Sequence, residues 1–500
     1  MAAGKVWLVG AGPGDIGLFT LKGAAVLQQA DVVVYDSLVG EGVLAKIPEH
    51  ARLINVGKRA NHHTMVEDIN KVLLEEAEKG NKVVRLKGGD PFLFGRGGEE
   101  LELLSENGIP YEIVPGVTSP ISVPAYNGIP VTHRDFCSSL HIITGHKRAG
   151  QEYDIDFKAL TQTKGTLVFL MGIAALEDIC KGLLAGGMDP DMPAAVLQKG
   201  TTAGQKRVVA TVGTLKEEVD RQGIETPAII VVGKVCSLAD KFAWYEKLPL
   251  AGWKVLVTRP RQHISKTADL LRQKGAEVLE LPSICTVPVE DNRRLYEAFE
   301  KLDTYQWIIF TSPAGVEIFF DEMDRKEMDV RSLGQAKIAV IGEGTKKKLK
   351  EHHLLADFVP DVYDGDTLGA ELAKELQGNE KILIPRAEAG NKKLTELLEQ
   401  TGAQVDDIAT YTTRYEKSRL IDEKKELETG SVDCVVFTSA STVKGFVEGT
   451  KGLDYTKVKA ACIGKQTKAA ADAYGMQTCM AKKATIESLI ELVEEMKQEN

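Results

Sequence analysis

The chain of 500 residues is 43% hydrophobic and 27% charged, a balance that fits a globular protein of about three domains with a sizeable core. Its formal net charge of -10 at pH 7 argues against general nucleic-acid binding, so an anionic ligand has to be met by local clusters of Lys, Arg and His. No apolar run approaches the roughly 20 residues of a bilayer span, and the first residues lead into a strand without a signal-peptide layout, so we expect a cytoplasmic protein with no membrane contact.

In chain order, an apolar strand over 5–9 runs into GAGPGD (10–15). A helix follows over 20–29, and a second strand over 31–35 completes a βαβ start that favours a parallel or mixed sheet. Gly10, Gly12 and Gly14 resemble a dinucleotide fingerprint, but Asp15 stands where its third glycine belongs. Asp36 ends the second strand, so this motif alone leaves a nicotinamide dehydrogenase open. The densest signal is VVRLKGGDPFLFGRGGEE (83–100). Val83, Val84 and Leu86 read as a short buried strand carrying Arg85 and Lys87, which enters a loop at Gly88-Gly89-Asp90-Pro91. The two glycines leave room for a ligand against the backbone, Asp90 can accept hydrogen bonds, and Pro91 fixes the exit. Gly95, Gly97 and Gly98 around Arg96 then precede a helix from about residue 99. Such a composition suits a loop built to hold a ligand. Further strands are expected over 111–114, 141–144, 166–171, 194–197 and 228–232, with helices between them. Pro249 and Gly252, in the segment 240–253, mark a domain boundary.

The second half contains an internal repeat. WIIFTSPAG (307–315) matches CVVFTSASTV (434–443) in type, IAVIGEGT (338–345) matches AACIGKQT (460–467), and KVLVTRP (254–260) matches KILIPR (381–386). Each set is a buried strand followed by a small polar turn that opens a helix, which implies two duplicated α/β lobes. Free amides at such helix starts could present anion sites from both lobes to one ligand. Ser and Thr at these turns are equally ordinary helix caps. The seven cysteines include no CxxC pair, and the doublets His62-His63 and His352-His353 cannot converge on one ion, so neither disulfides nor a metal are expected.

The first half resembles uroporphyrinogen-III C-methyltransferase. The resemblance lies in LVGAGPGD (8–15), ADVVVYD (30–36), VGKR (56–59), VVRLKGGDPFLFGRGGEE (83–100), VPGVTS (114–119), GIPVTHRD (128–135), TGH (144–146) and LVFLMG (167–172), in order and at family spacing over residues 5–245. It implies a two-lobed methyltransferase unlike the Rossmann type, often dimeric, with S-adenosylmethionine folded between the lobes. It also implies donor contacts from Pro13, Gly88, Gly89, Asp90, Leu93, Thr118, Ser119, Met171 and Gly200, with Asp36 and Lys58 at the positions of general base and general acid. Methylation of an electron-rich pyrrole carbon needs a sulfonium methyl held in line and a proton removed afterwards, which suits a carboxylate at a strand end. A polycarboxylate such as uroporphyrinogen calls for cations. Arg59, Arg96, His133 and Arg134 are the substrate-binding candidates, within a basic set that also holds His62, His63, His146, Lys147 and Arg148. The segment NHHTMVEDIN (61–70) departs from the family in being shorter and lacking a glutamine.

The second half resembles uroporphyrinogen-III synthase in VTRP (257–260), the repeated FTS, the GxxT turns and IATY (408–411). The resemblance implies closure of linear hydroxymethylbilane with inversion of the last pyrrole and loss of water, and no cofactor. Tyr411, Thr345, Ser439 and Thr467 match positions implicated in that family. Tyr411 is the catalytic candidate, as a phenol able to hydrogen-bond near the departing hydroxyl; a half-buried packing tyrosine reads the same way from sequence.

The expected fold class is α/β throughout. A two-lobed tetrapyrrole-methylase fold over 1–245 (lobes about 1–115 and 116–245) is followed by a linker at 246–252. A two-lobed uroporphyrinogen-III-synthase-like fold with duplicated α/β lobes then covers 253–500, where 253–286 join 414–500 in one lobe and 287–412 form the other. Together the resemblances imply a bifunctional enzyme that makes uroporphyrinogen III and methylates it at two ring carbons to give precorrin-2, the entry to sirohaem and cobalamin. Its partners would be small-molecule tetrapyrroles, with no metal, nucleic acid or membrane, and it would form a homodimer through the first half. A methylase of a later corrin intermediate, a nicotinamide dehydrogenase, and a second half that binds tetrapyrrole without catalysis stay open as alternatives.

Overall fold

A computed structural model describes residues 4–57, 66–145, 155–258, 265–281, 284–390, 392–415, 418 and 420–499. Four five-stranded sheets organise them. Sheet one holds β1 (Lys5–Gly10), β2 (Val32–Tyr35), β3 (Arg52–Asn55), β4 (Lys82–Lys87) and β5 (Tyr111–Val114) in the order β3-β2-β4-β1-β5. All its pairs are parallel. Its central strands are apolar runs because both faces are covered. Alternate residues go to opposite cores, Val9, Val33, Val84 and Leu86 to one and Val6, Leu8, Val32, Val34 and Val83 to the other. Parallel strands bring every carboxyl end to one edge. The connections leaving β1 and β4 run toward opposite sides of the sheet, so a crevice opens where those adjacent strands end, the usual ligand position in such sheets.

Sheet two holds β6 (Leu140–Thr144), β7 (Thr166–Leu170), β8 (Pro193–Gln198), β9 (Lys206–Thr211) and β10 (Ala228–Val232) in the order β6-β7-β10-β8-β9. β7 and β8 both pair antiparallel with β10, and β6 is parallel to β7, so β6, β7 and β8 end on a common edge. Sequence reading missed β9, a hairpin partner of β8 in which only Val208 is buried. With one buried side chain it carries no period-two apolar signal.

The segment expected as a linker is built into the second half. Leu250 is fully buried with Trp253, Val255 and Leu271, and its N–H donates to Lys274 O at 2.8 Å. From there the chain forms β11 (Lys254–Thr258) and β12 (Glu277–Glu280), then leaves for sheet four. That sheet holds β13 (Ile284–Pro288), β14 (Trp307–Phe310), β15 (Lys337–Val340), β16 (Lys381–Ala387) and β17 (Gln404–Tyr415) in the order β13-β17-β16-β14-β15. The chain then returns to complete sheet three with β18 (Cys434–Phe437), β19 (Lys459–Cys462) and β20 (Gln477–Met480), ordered β12-β11-β18-β19-β20 and parallel throughout. The outgoing and returning strands pair antiparallel from Ile284↔Tyr415 to Pro288↔Tyr411, so sheet four begins slightly before the expected boundary at 286. No helix among the described residues is long and apolar enough to cross a membrane.

Candidate active sites

The crevice of sheet one is made by glycines that admit no side chain. A Cβ built on Gly10 would lie 2.5 Å from Gly116 Cα, and one on Gly116 would lie 2.2 Å from Gly89 O. Such distances are closer than any Cβ tolerates, so the loops after β1, β4 and β5 can meet only as glycine backbone. Gly12 and Gly89 exchange N–H···O bonds of 3.2 and 2.7 Å, which joins the first two loops. The other side of Gly89 faces open space, with φ +66°. Asp90 ties the loops together: Oδ1 accepts from Phe92 N (2.8 Å) and Leu93 N (3.2 Å), and Oδ2 accepts from Gly116 N (2.9 Å). Its carboxylate therefore shapes the cradle. Ser119 begins the helix Ser119–Tyr126 with Thr118 at its cap position, unbonded by its side chain, so Gly88, Gly89, Asp90, Leu93, Thr118 and Ser119 come together on this edge.

The second lobe faces the crevice with the loops that leave β7 and β8. Asp15 N donates to Thr201 Oγ1 (3.3 Å), Tyr126 OH donates to Asp15 Oδ2 (2.7 Å), and a Cβ on Gly14 would lie 2.8 Å from Thr202 Cγ2. Burial, with the Asp15 carboxylate adding to it, pushes the Tyr126 phenol upward. Asp15 thus replaces the fingerprint glycine because this position joins two lobes. Pro13 and Gly200 stand on either side of that contact, and Met171 follows β7. Of nine non-glycine residues with positive φ among the described residues, Phe94, Arg96, Met171, Lys199 and Thr201 belong to these loops. Backbone strain concentrated in this way is a mark of a functional site.

Asp36 ends β2 on the same edge. Its Oδ2 accepts from Arg85 Nη2 at 3.1 Å and its Oδ1 from Leu38 N at 3.0 Å. Arg85 is buried beside Glu100, whose Oε1 also takes Lys87 Nζ at 2.5 Å. Burial first, and then the Arg85 charge, lower the Lys87 pKa. Arg96 is exposed in the left-handed region at the start of the helix Gly97–Glu106. Lys58, Arg59, His62, His63, His146, Lys147 and Arg148 lie outside the described residues. His133 and Arg134 do not join the crevice of their own chain. Their turn bridges His133 to Cys137, which touches Thr166 Oγ1 (3.2 Å) at the amino end of β7, on the edge opposite Met171.

In the second half, Tyr411 is buried on β17 and its OH lies 2.7 Å from Ser312 Oγ. Burial raises the phenol's pKa and the Ser312 hydrogen bond partly offsets it. Ser312 caps the helix Pro313–Arg325 through Gly315 N (3.0 Å), and Ser439 caps Ala440–Gly449 through Thr442 N (3.2 Å). The FTS serines are therefore helix caps. The GxxT turns differ. Gly342 and Gly464 open the helices Glu343–Glu351 and Lys465–Asp472 without a side-chain cap, and Thr345 and Thr467 sit buried in their first turns. Tyr411, Ser312 and Thr345 belong to sheet four; Ser439 and Thr467 belong to sheet three, at helix starts beyond the ends of β18 and β19. The helix Ala440–Gly449 packs against β13 and β17. Ser312, the hydrogen-bond partner of Tyr411, was not among the sequence candidates, although its place in the repeat opposite Ser439 was a readable signal. No group of His, Cys, Asp and Glu among the described residues could hold a metal ion.

Comparison with known proteins gives two family matches in tandem: tetrapyrrole (corrin/porphyrin) methylases over residues 5–216 and uroporphyrinogen-III synthase HemD over 265–491. The porphyrin biosynthesis protein HemD of Ruminiclostridium josui is 48% identical over 492 residues, 98% of each chain. The uroporphyrinogen-III C-methyltransferase of Bacillus subtilis (strain 168) is 39% identical over 378 residues, 75% of this chain and 77% of that protein. The crystal structure of uroporphyrin-III C-methyl transferase from Thermus thermophilus complexed with S-adenyl homocysteine is 40% identical with a TM-score of 0.41, covering 47% of this chain and 99% of that one.

Proposed function

The chain belongs to the family of tandem tetrapyrrole methylase and uroporphyrinogen-III synthase proteins represented by that Ruminiclostridium protein, and from this premise we propose that it performs two consecutive steps. The second half, over 253–500, closes hydroxymethylbilane to uroporphyrinogen III. The first half, over 1–245, methylates that product at two ring carbons to give precorrin-2. The observation that carries the reading is the crevice in which Gly10, Gly89 and Gly116 approach too closely for any side chain. It is a cradle of open backbone, and S-adenosylmethionine fits it. Pro13, Gly88, Gly89, Asp90, Leu93, Thr118 and Ser119 would hold the donor from the first lobe, Met171 and Gly200 from the second. When bound, the donor supplies an electrophilic methyl group.

Asp36 takes the proton that the cationic macrocycle releases once its ring carbon is methylated, with Arg85 and the Leu38 amide orienting its carboxylate. Lys58 supplies a proton or grips a substrate carboxylate, and Arg59 and Arg96 hold others. His133 and Arg134 are left out of the site built by one chain. Leu21, Phe92, Phe94 and Ile121 expose large apolar surface on the same edge of the first half, which supports a homodimer formed there. In the second half, Tyr411 hydrogen-bonds the departing hydroxyl with Ser312 orienting the phenol, while Thr345, Ser439 and Thr467 line the substrate cleft. Seven cysteines with no CxxC pair suit the reducing cytoplasm.

The test is a coupled assay of the purified chain with hydroxymethylbilane, with and without S-adenosylmethionine, resolving isomers by chromatography and mass. Type III uroporphyrinogen alone, and a doubly methylated product with the donor, are expected. Closure only to the type I isomer, with supplied type III still methylated, would reduce the second half to a binding module.

A further inference from the structure

The seam between the halves lies directly behind the donor cradle. Lys254, the first residue of β11, is buried and places Nζ 2.6 Å from Glu41 Oε2, 2.9 Å from Glu426 Oε2 and 3.8 Å from Glu277 Oε1. Glu41 belongs to the first methylase lobe. It follows Gly40, where a Cβ would lie 2.9 Å from Gly14 O, so Glu41 stands one packing contact behind the Pro13–Gly14 loop. Glu277, the first residue of β12, reaches the other methylase lobe, where its Oε2 accepts from Ala203 N at 2.7 Å. Ala203 follows Thr201 and Thr202, the residues that meet Asp15 and Gly14. Gly14, Asp15, Glu41, Thr201, Thr202 and Glu277 share the lining of one small cavity. Two further contacts close the seam: Lys46 with Glu280 at 3.2 Å, and Tyr245 OH with Gly275 O at 3.2 Å.

We propose that the synthase half clamps the methylase half: Lys254 and Glu277 grip one residue from each methylase lobe and set the lobe spacing at which the donor binds. The clamp rests on the donor-site reading given above. Its physical basis is charge. Lys254 is the cation shared by three carboxylates, and although burial alone would lower its pKa, Glu277 and Glu41 outweigh that and raise it to about 12. Without it, Glu41, Glu277 and Glu426 face one another uncompensated and the seam opens. Because coupling between sites is reciprocal, donor binding must in turn tighten the synthase lobe around β12. Lys254 and Glu277 are thus positioning residues for methyl transfer that lie outside the methylase half.

The experiment titrates S-adenosylhomocysteine calorimetrically into the full chain and into its Lys254→Met, Lys254→Arg, Glu41→Gln and Lys254→Met/Glu41→Gln variants. Amide exchange over 272–281 is followed alongside. Affinity is expected to fall about tenfold in Lys254→Met and about threefold in Glu41→Gln, with the double variant no worse than Lys254→Met because the two residues share one contact. Lys254→Arg restores most of the affinity. The ligand slows exchange over 272–281 in the unmodified chain but not in Lys254→Met, and bilane cyclisation by Glu41→Gln is unchanged. Glu41→Gln alters a partly exposed side chain of the methylase half, and it decides the matter if Lys254→Met does not fold. Unchanged affinity in the folded variants, with exchange over 272–281 indifferent to the ligand, overturns the clamp and leaves the donor site standing. Weaker binding with faster exchange throughout sheet three marks plain destabilisation and also overturns it. If the unmodified chain does not bind the ligand, the donor-site reading falls first and the clamp with it.

Discussion

At the scale of single residues, Gly116 and Tyr411 carry the sharpest consequences. Gly116→Ala forces a methyl group to within 2.2 Å of Gly89 O, a backbone atom that can withdraw only by parting the loops after β4 and β5. We expect a destabilisation of about 1–3 kcal/mol, as for other overpacked sites, and a loss of S-adenosylhomocysteine binding measurable by calorimetry. Gly98→Ala, where a Cβ meets nothing within 4 Å, is the matched control and should bind normally. Tyr411→Phe removes the hydroxyl paired with Ser312 Oγ. Cyclisation should slow by about 10²-fold if the phenol serves the leaving group, with methylation of supplied uroporphyrinogen III untouched. A variant that cyclises at full rate would return Tyr411 to the status of a packing residue.

At the scale of elements, the helix Val66–Glu78 is fastened to β3 by charge. The buried Glu76 accepts from Arg52 Nη2, from Lys79 Nζ at 2.7 Å and from Asn81 Nδ2 at 2.9 Å. Burial alone would raise its pKa, but the hydrogen-bonded Arg52 and Lys79 hold the carboxyl below its usual range. A carboxylate whose pKa is lower in the folded chain than in the unfolded one stabilises fully above the unfolded value, and that contribution disappears as pH falls through the folded value. Glu76→Gln should therefore cost about 1–3 kcal/mol at neutral pH by urea unfolding. The gap from the unmodified protein should close below about pH 4, near the unfolded carboxylate pKa. A gap that stays constant with pH would show that packing, and not the ion pairs, holds the helix.

At the scale of the whole molecule, each half holds two sheets, and a small number of contacts tie them. In the methylase half the tie is the Tyr126–Asp15 hydrogen bond with Thr201 beside it. Tyr126→Phe should weaken S-adenosylhomocysteine binding about tenfold to a hundredfold, the worth of one hydrogen bond to a charged group at about 1.5–3 kcal/mol, and leave cyclisation unchanged. Equal affinity in the two proteins would mean that the lobes are spaced by other contacts. In the synthase half the tie is the antiparallel pair β13 and β17, whose last residue pair includes Tyr411, so the strand that joins the lobes also carries the proposed catalytic phenol.

Much of this was legible in the amino-acid order because it is local. Apolar runs bounded by glycine and proline marked most strands, GGDP marked the loop after β4, and the FTS and GxxT turns disclosed the duplication; each is a property of a few adjacent residues. The features that only the tertiary structure decided join residues far apart in the chain. Gly10 needs to be glycine because Gly116 lies against it, Asp90 reaches across to Gly116 N, and Ser312 pairs with Tyr411 because β17 brings the phenol to its cap. His133 and Arg134 look like anion-binding residues in a motif, yet the fold carries them to the amino edge of sheet two. β9 escaped notice because burying one side chain leaves no period to read. The order of residues by itself determined which segments become strands, turns and caps, since those follow from local burial and backbone preference. The tertiary structure decided which ends meet, because strand order and register are set by packing between elements that the sequence holds dozens to hundreds of residues apart.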